Sequence, residues 1–124
     1  MVSFDRAFVA VGLAWLILGM LVGLYIGLTS SNQFVPVHVT MMLPGFAVLT
    51  LYGLIYRAWP AFNDTAIGHI QFWVAVIAVL GQVVGALQFV TSGGTQIAVI
   101  AAASMLAIVA AVLLMWLVLT RSAP

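Results

Sequence analysis

Apolar residues fill four long blocks of the chain, Ala7–Thr29, Val35–Trp59, His69–Val90 and Gln96–Thr120, and only short polar stretches separate them. About 20 mostly apolar residues, rising ~1.5 Å each, cross the hydrocarbon of a bilayer, so each block predicts a spanning helix. The connections are Ser30–Phe34, Pro60–Gly68 and Thr91–Thr95. Pro60 followed by Asn63-Asp64-Thr65 reads as a helix stop and then an N-cap for the third span. Thr91-Ser92-Gly93-Gly94-Thr95 reads as a tight polar turn. The first block is too long for a signal peptide, and no small-residue cleavage site follows it, so it is expected to be a retained helix. The expected fold is all-α: one transmembrane domain over residues 1–124, built as an integral membrane four-helix bundle.

Composition sharpens this. Apolar residues make up 66% of the 124 and charged residues 4%, against roughly 25% charged in a soluble domain. Such a chain can neither clothe a water-facing surface nor remain disordered. With no Cys there is no thiolate metal site and no iron–sulfur cluster. A net charge of +1 leaves no electrostatic footprint for nucleic acid. The expected partners are the lipid bilayer, other membrane spans and apolar cofactors.

Three charges set the expected direction. Arg6 precedes the first span, Arg57 ends the second and Arg121 follows the fourth, while the other two connections are uncharged. The positive-inside rule then places both termini in the cytoplasm, in a bacterial-type inner membrane. Trp59, Phe62, Phe72, Trp73 and Trp116 are expected at the inner interface, and Tyr25, Phe34 and Phe89 at the outer one.

Small residues mark the packing seams, because membrane helices associate where backbones can approach. The first span carries Gly12, Gly19, Gly23 and Gly27, the third Ala78, Gly81 and Gly85, and the fourth Ala103, Ala107 and Ala111 beside Ser104. An intramolecular bundle absorbs most of these seams. The rest leave room for a homo-oligomer, a trimer or a dimer, with the first span's glycines as its surface, or for other membrane subunits.

Polar side chains within the blocks are the candidates for function. Thr40, Thr50 and Ser104 can bond the carbonyl one turn back, and Gln82 and Gln88 can bond across helices. His38 can ligate a metal or accept a proton near neutral pH; it can equally be an interfacial histidine bonded to a carbonyl or to Gln88. Beneath it, Met42, Gly45, Leu49, Tyr52 and Tyr56 continue one helical stripe, in which Gly45 leaves a notch for a flat group. Pro44 removes one backbone bond and frees the Thr40 carbonyl. His69 begins the third span at the opposite interface, ~20–30 Å away, so the two histidines cannot share one metal.

The run His38-Val39-Thr40, Gly45-Phe46, Gly53-Leu54-Ile55-Tyr56, Pro60 and Phe72-Trp73 resembles subunit I of the heme–copper oxidases, most closely the cbb-type branch. The spacings from His38 to Pro60 match without a gap, over about a third of the chain in all. The resemblance implies a small four-helix protein similar to a fragment of that subunit, with His38 as axial ligand of heme b. Thr40 occupies the position of the family's second heme ligand and cannot fill that role. Gln71 stands where the family often has a histidine, and the copper ligands and the outer arginines that pair heme propionates are missing. Oxygen reduction by this chain alone is therefore not expected.

Three readings follow. The first is a heme-binding membrane protein, with His38, Met42, Gly45 and Thr40 around the cofactor, in electron transfer, gas or heme binding, or an oxidase-accessory role. The second is a cofactor-free structural subunit of a larger membrane assembly. The third, a small transporter or channel, lacks an ionisable residue deep in the bilayer.

Overall fold

The computed structural model describes residues 3–121, and within them every regular element is helical. Four helices are long and apolar enough to cross a membrane: α1 (Phe4–Thr29), α2 (Asn32–Ala58), α3 (Ala66–Thr91) and α4 (Ala98–Thr120). Each block of the sequence thus becomes one helix, with ends displaced by a few residues.

The displacements have local causes. α1 begins at Phe4 because the Phe4 amide donates to Asn63 Oδ1 at 2.9 Å, so the α2–α3 connection caps α1 from across the bundle. α3 begins at Ala66 because Thr65, in extended conformation, accepts the Gly68 amide at 2.9 Å. The α3–α4 turn passes through Gly93 and Gly94 at φ +67° and +86°, where a side chain would be strained.

α2 is not uniform. A 3-10 turn over Asn32–Phe34 leads into an α segment, a π segment spans Met41–Val48, and α geometry resumes at Leu49. Pro44 lies inside the π segment. A helix that loses an amide can widen its ladder from i+4 to i+5, which accommodates the proline without a break.

The main core lies at the end of the bundle that holds the start of α1 and the α2–α3 connection. Phe4 and Phe8 of α1, Tyr56 of α2, Phe62 of the connection, Phe72 of α3 and Leu117 of α4 are all buried there. Phe4 stacks on Phe72 at 4.7 Å between centroids, and Tyr56 meets Phe62 edge-on at 5.6 Å. Phe62 and Phe72 were expected at the interface and instead turn inward. The 3-10 turn Pro60–Asp64 tucks Phe62 beneath the bundle, where ring contact removes more apolar surface than an interfacial position. Trp73 and Trp116 do face outward, at 58% and 56% exposure. The other exposed large apolar side chains are Leu, Ile, Val and Met together with Tyr25 and Phe89, a surface that hydrocarbon solvates and water does not.

The glycine seams are filled from within the chain. A side chain at Gly12 would meet Thr50, one at Gly19 would meet Met41 and Met42, and one at Gly23 would meet the His38 ring. Only Gly27 in this series opens onto free space. The seam expected to serve an oligomer is therefore the bed of α2. Gly81 and Gly85 do the same for α4, against Ala103 and Ile100.

Candidate functional site

His38 is half-buried on α2, held against α1. Its Nδ1 lies 2.7 Å from the carbonyl oxygen of Gly19. A carbonyl can only accept, so the ring proton sits on Nδ1 and Nε2 keeps its lone pair in the neutral imidazole. The ring lies flush with Gly23, where a Cβ would approach Cε1 to 2.8 Å. Two glycines one turn apart thus supply an anchor and a recess, and the bond goes to a backbone carbonyl rather than to Gln88.

Beside the imidazole, Ile17, Met20, Leu21 and Leu24 of α1 form an open apolar groove of about 590 Å³. These four are 57–60% exposed. They recur on one helical face, but their chemistry is that of any exterior apolar residue, so nothing in the sequence marked them.

The stripe below His38 does not form the expected pocket. The Gly45 notch holds the Trp15 indole, whose Cβ and Cγ lie 2.9 Å from where a glycine Cβ would stand. Met42 seats its sulfur against Gly19. The reason is packing: the two grooves face α1, and an apolar helix fills a notch more effectively than it leaves one open. Thr40 donates its hydroxyl to the Pro36 carbonyl at 2.7 Å, one turn back. Of the residues expected around a cofactor, only His38 lines the open apolar groove.

The deeper polar residues make a second cluster. The Tyr56 hydroxyl lies 2.9 Å from both the Gly68 carbonyl and Gln71 Oε1, and its one proton serves these two acceptors. Gln71, fully buried, extends Nε2 to the Ala110 carbonyl of α4 at 3.3 Å. Tyr56 entered the sequence reading as the end of the stripe below His38 and Gln71 only through the oxidase resemblance; the polar residue between Ile70 and Phe72 was the available signal for a buried bond. Higher up, Gln82 Nε2 reaches Ser104 Oγ at 3.4 Å, the cross-helix role expected of it, while Gln82 Oε1 is buried without a partner.

His69 is exposed beside the α2–α3 connection, donates Nε2–H to the Asn63 carbonyl at 3.0 Å and sets its ring edge-on to Phe4. Among the described residues no three His, Asp or Glu side chains gather into a metal-holding group. His38 would supply one ligand to a metal held beside it, and one protein ligand is a common way of holding porphyrin iron. Compared with known protein families, curated proteins and solved structures, the chain matches none of them.

Proposed function

We propose that the chain is a multi-pass protein of a bacterial-type inner membrane, with both termini cytoplasmic, that binds heme b through His38. Its role is electron transfer, gas or heme binding, or support of an oxidase. The observation that carries this reading is the bond from His38 Nδ1 to the Gly19 carbonyl. Metal-ligating histidines almost always donate their second ring N–H to a carbonyl, carboxylate or water, which fixes the tautomer and raises the basicity of the free nitrogen. The imidazole and the groove of Ile17, Met20, Leu21 and Leu24 that it borders would suit an apolar macrocycle with His38 as its protein ligand.

Bound there, heme would supply a one-electron couple and an iron position that diatomic gases can reach. Gly19 orients the ring, Gly23 keeps it flat against α1, and the leucine and isoleucine side chains exclude water. The groove covers one face of a planar group, so a second chain is the natural cover for the other. His38 would supply one ligand per chain, and in a dimer or trimer the same residue of a second chain would supply another. Native mass spectrometry in mild detergent distinguishes these assemblies from a monomer.

A second reading, a cofactor-free structural subunit of a membrane assembly, draws on Trp15, which already fills the Gly45 notch. An absorbance spectrum after heme supplementation decides between the two. A Soret band lost on His38→Ala and kept on His69→Ala is expected. A wild type that takes up no heme, or a His38→Ala variant that binds it equally, leaves the scaffold reading.

A further inference from the structure

We propose that the inner-end groove between α1 and α2 is a phospholipid site, taking a single phosphodiester between Arg6 and Arg57 with an acyl chain laid along the apolar exterior. The groove holds about 280 Å³ and lies on the opposite end of α1 from His38. Arg6, Ala10 and Leu13 stand on one face of α1, and Gly53 and Arg57, one turn apart, on one face of α2.

Gly53 makes the convergence possible. A Cβ there would come within 2.8 Å of the Asp5 carbonyl oxygen and of Val9 Cγ2. Without one, the two backbones close together and both exposed arginines border the same groove. Above the charges the lining is Val9, Ala10, Leu13 and Leu54, which suits an acyl chain and offers nothing to a free hydrophilic phosphate.

Charge sets the class of ligand. Two guanidinium groups and the Asp5 carboxylate leave one net positive charge, matching one phosphodiester. Arginine presents a planar fork of donors to phosphate oxygens. Asp5 Oδ1 is buried without a hydrogen-bond partner. Asp5 also lines the groove, where its carboxylate would accept from an ethanolamine ammonium or a glycerol hydroxyl, donors that choline lacks. The ligand is thus a phosphatidylethanolamine or phosphatidylglycerol.

The inference rests on the membrane reading above. Native mass spectrometry of the full chain in detergent, titrated with phosphatidylethanolamine, phosphatidylglycerol, phosphatidylcholine or glycerol 3-phosphate, tests it. One ethanolamine or glycerol lipid per chain is expected, with weaker choline lipid and no glycerol 3-phosphate. Arg6→Gln and Arg57→Gln should each weaken binding about fivefold and the pair about thirtyfold, from roughly 1 kcal/mol per basic residue. Asp5→Asn should erase the preference over choline lipid, and Arg121→Gln, outside the groove, should change nothing. Circular dichroism checks that each variant keeps its helices; if the double variant loses them, the single variants decide. Equal retention of all lipids, or equal loss in Arg121→Gln, overturns the site. A chain that alkaline carbonate strips from vesicles overturns the membrane reading instead.

Discussion

Nδ1 of His38 on α2 lies 2.7 Å from the carbonyl oxygen of Gly19 on α1, and the ring rests in the recess of Gly23 one turn further along. The recess is a property of Gly23 alone, because a side chain at Gly27 would meet nothing within 4 Å. Gly23→Ala should therefore push the imidazole off its anchor. A destabilisation of about 1–2 kcal/mol is expected, with weakened heme uptake. Gly27→Ala should be neutral or stabilising by up to about 1 kcal/mol, since it only restricts the unfolded chain. Thermal unfolding in detergent, followed by circular dichroism, compares the two; equal effects would sink the account of the recess.

Tyr56 and Gln71 offer a test near the α2–α3 connection. Tyr56→Phe leaves the Gly68 carbonyl and Gln71 Oε1 without their shared donor, at a cost of about 1–3 kcal/mol. Gln71→Leu removes the tie to Ala110 but leaves the tyrosine its bond to Gly68, so about 0.5–1.5 kcal/mol is expected. The double variant should then show a coupling of at least about 0.5 kcal/mol. Strict additivity in a denaturant-unfolding cycle would show that the two residues act separately.

The α3–α4 seam predicts a compensating pair. A Cβ at Gly81 would stand 2.8 Å from the Cβ of Ala103. Gly81→Ala alone should cost about 1–3 kcal/mol through overpacking, and Ala103→Gly in the same chain should recover most of it. Gly85→Ala should find no such rescue, because its Cβ would meet the Ile100 backbone nitrogen at 2.5 Å and a backbone atom cannot be trimmed. Melting temperatures of the three variants decide this.

Orientation is tested by single cysteines at Asn32, the first residue of α2, and at Asp64 and Ser92 in the two following connections. With both termini cytoplasmic, positions 32 and 92 should label from outside and 64 should not. Labelling of 64 alone inverts the protein, and uniform labelling removes the four-span topology.

Helix number and approximate ends were legible because they depend on composition over a window of about 20 residues, which no tertiary contact needs to supply. Thr65 as a cap was legible for a similar reason, since an N-cap acts within three residues. The cap that Asn63 places on Phe4 was not: the two are 59 positions apart, and only the folded chain brings them together. Pro44 announced an irregularity in α2, but whether the helix would kink or widen depended on what α1 pressed against it.

The candidate site divides in the same way. His38 stood out in the sequence because an ionisable side chain in an apolar block is rare, and the glycines stood out because small residues admit close backbones. Which glycine faces which partner was a matter of relative rotation and register between helices. Many registers bury similar apolar area, and the choice falls to shape. Tertiary structure therefore gave Gly45 to Trp15 and closed the expected notch, gave Gly19 and Gly23 to His38, and left the ring beside side chains that looked like ordinary exterior residues. Hydropathy is carried by each residue alone, whereas the fit of a side chain into a groove exists only between two helices.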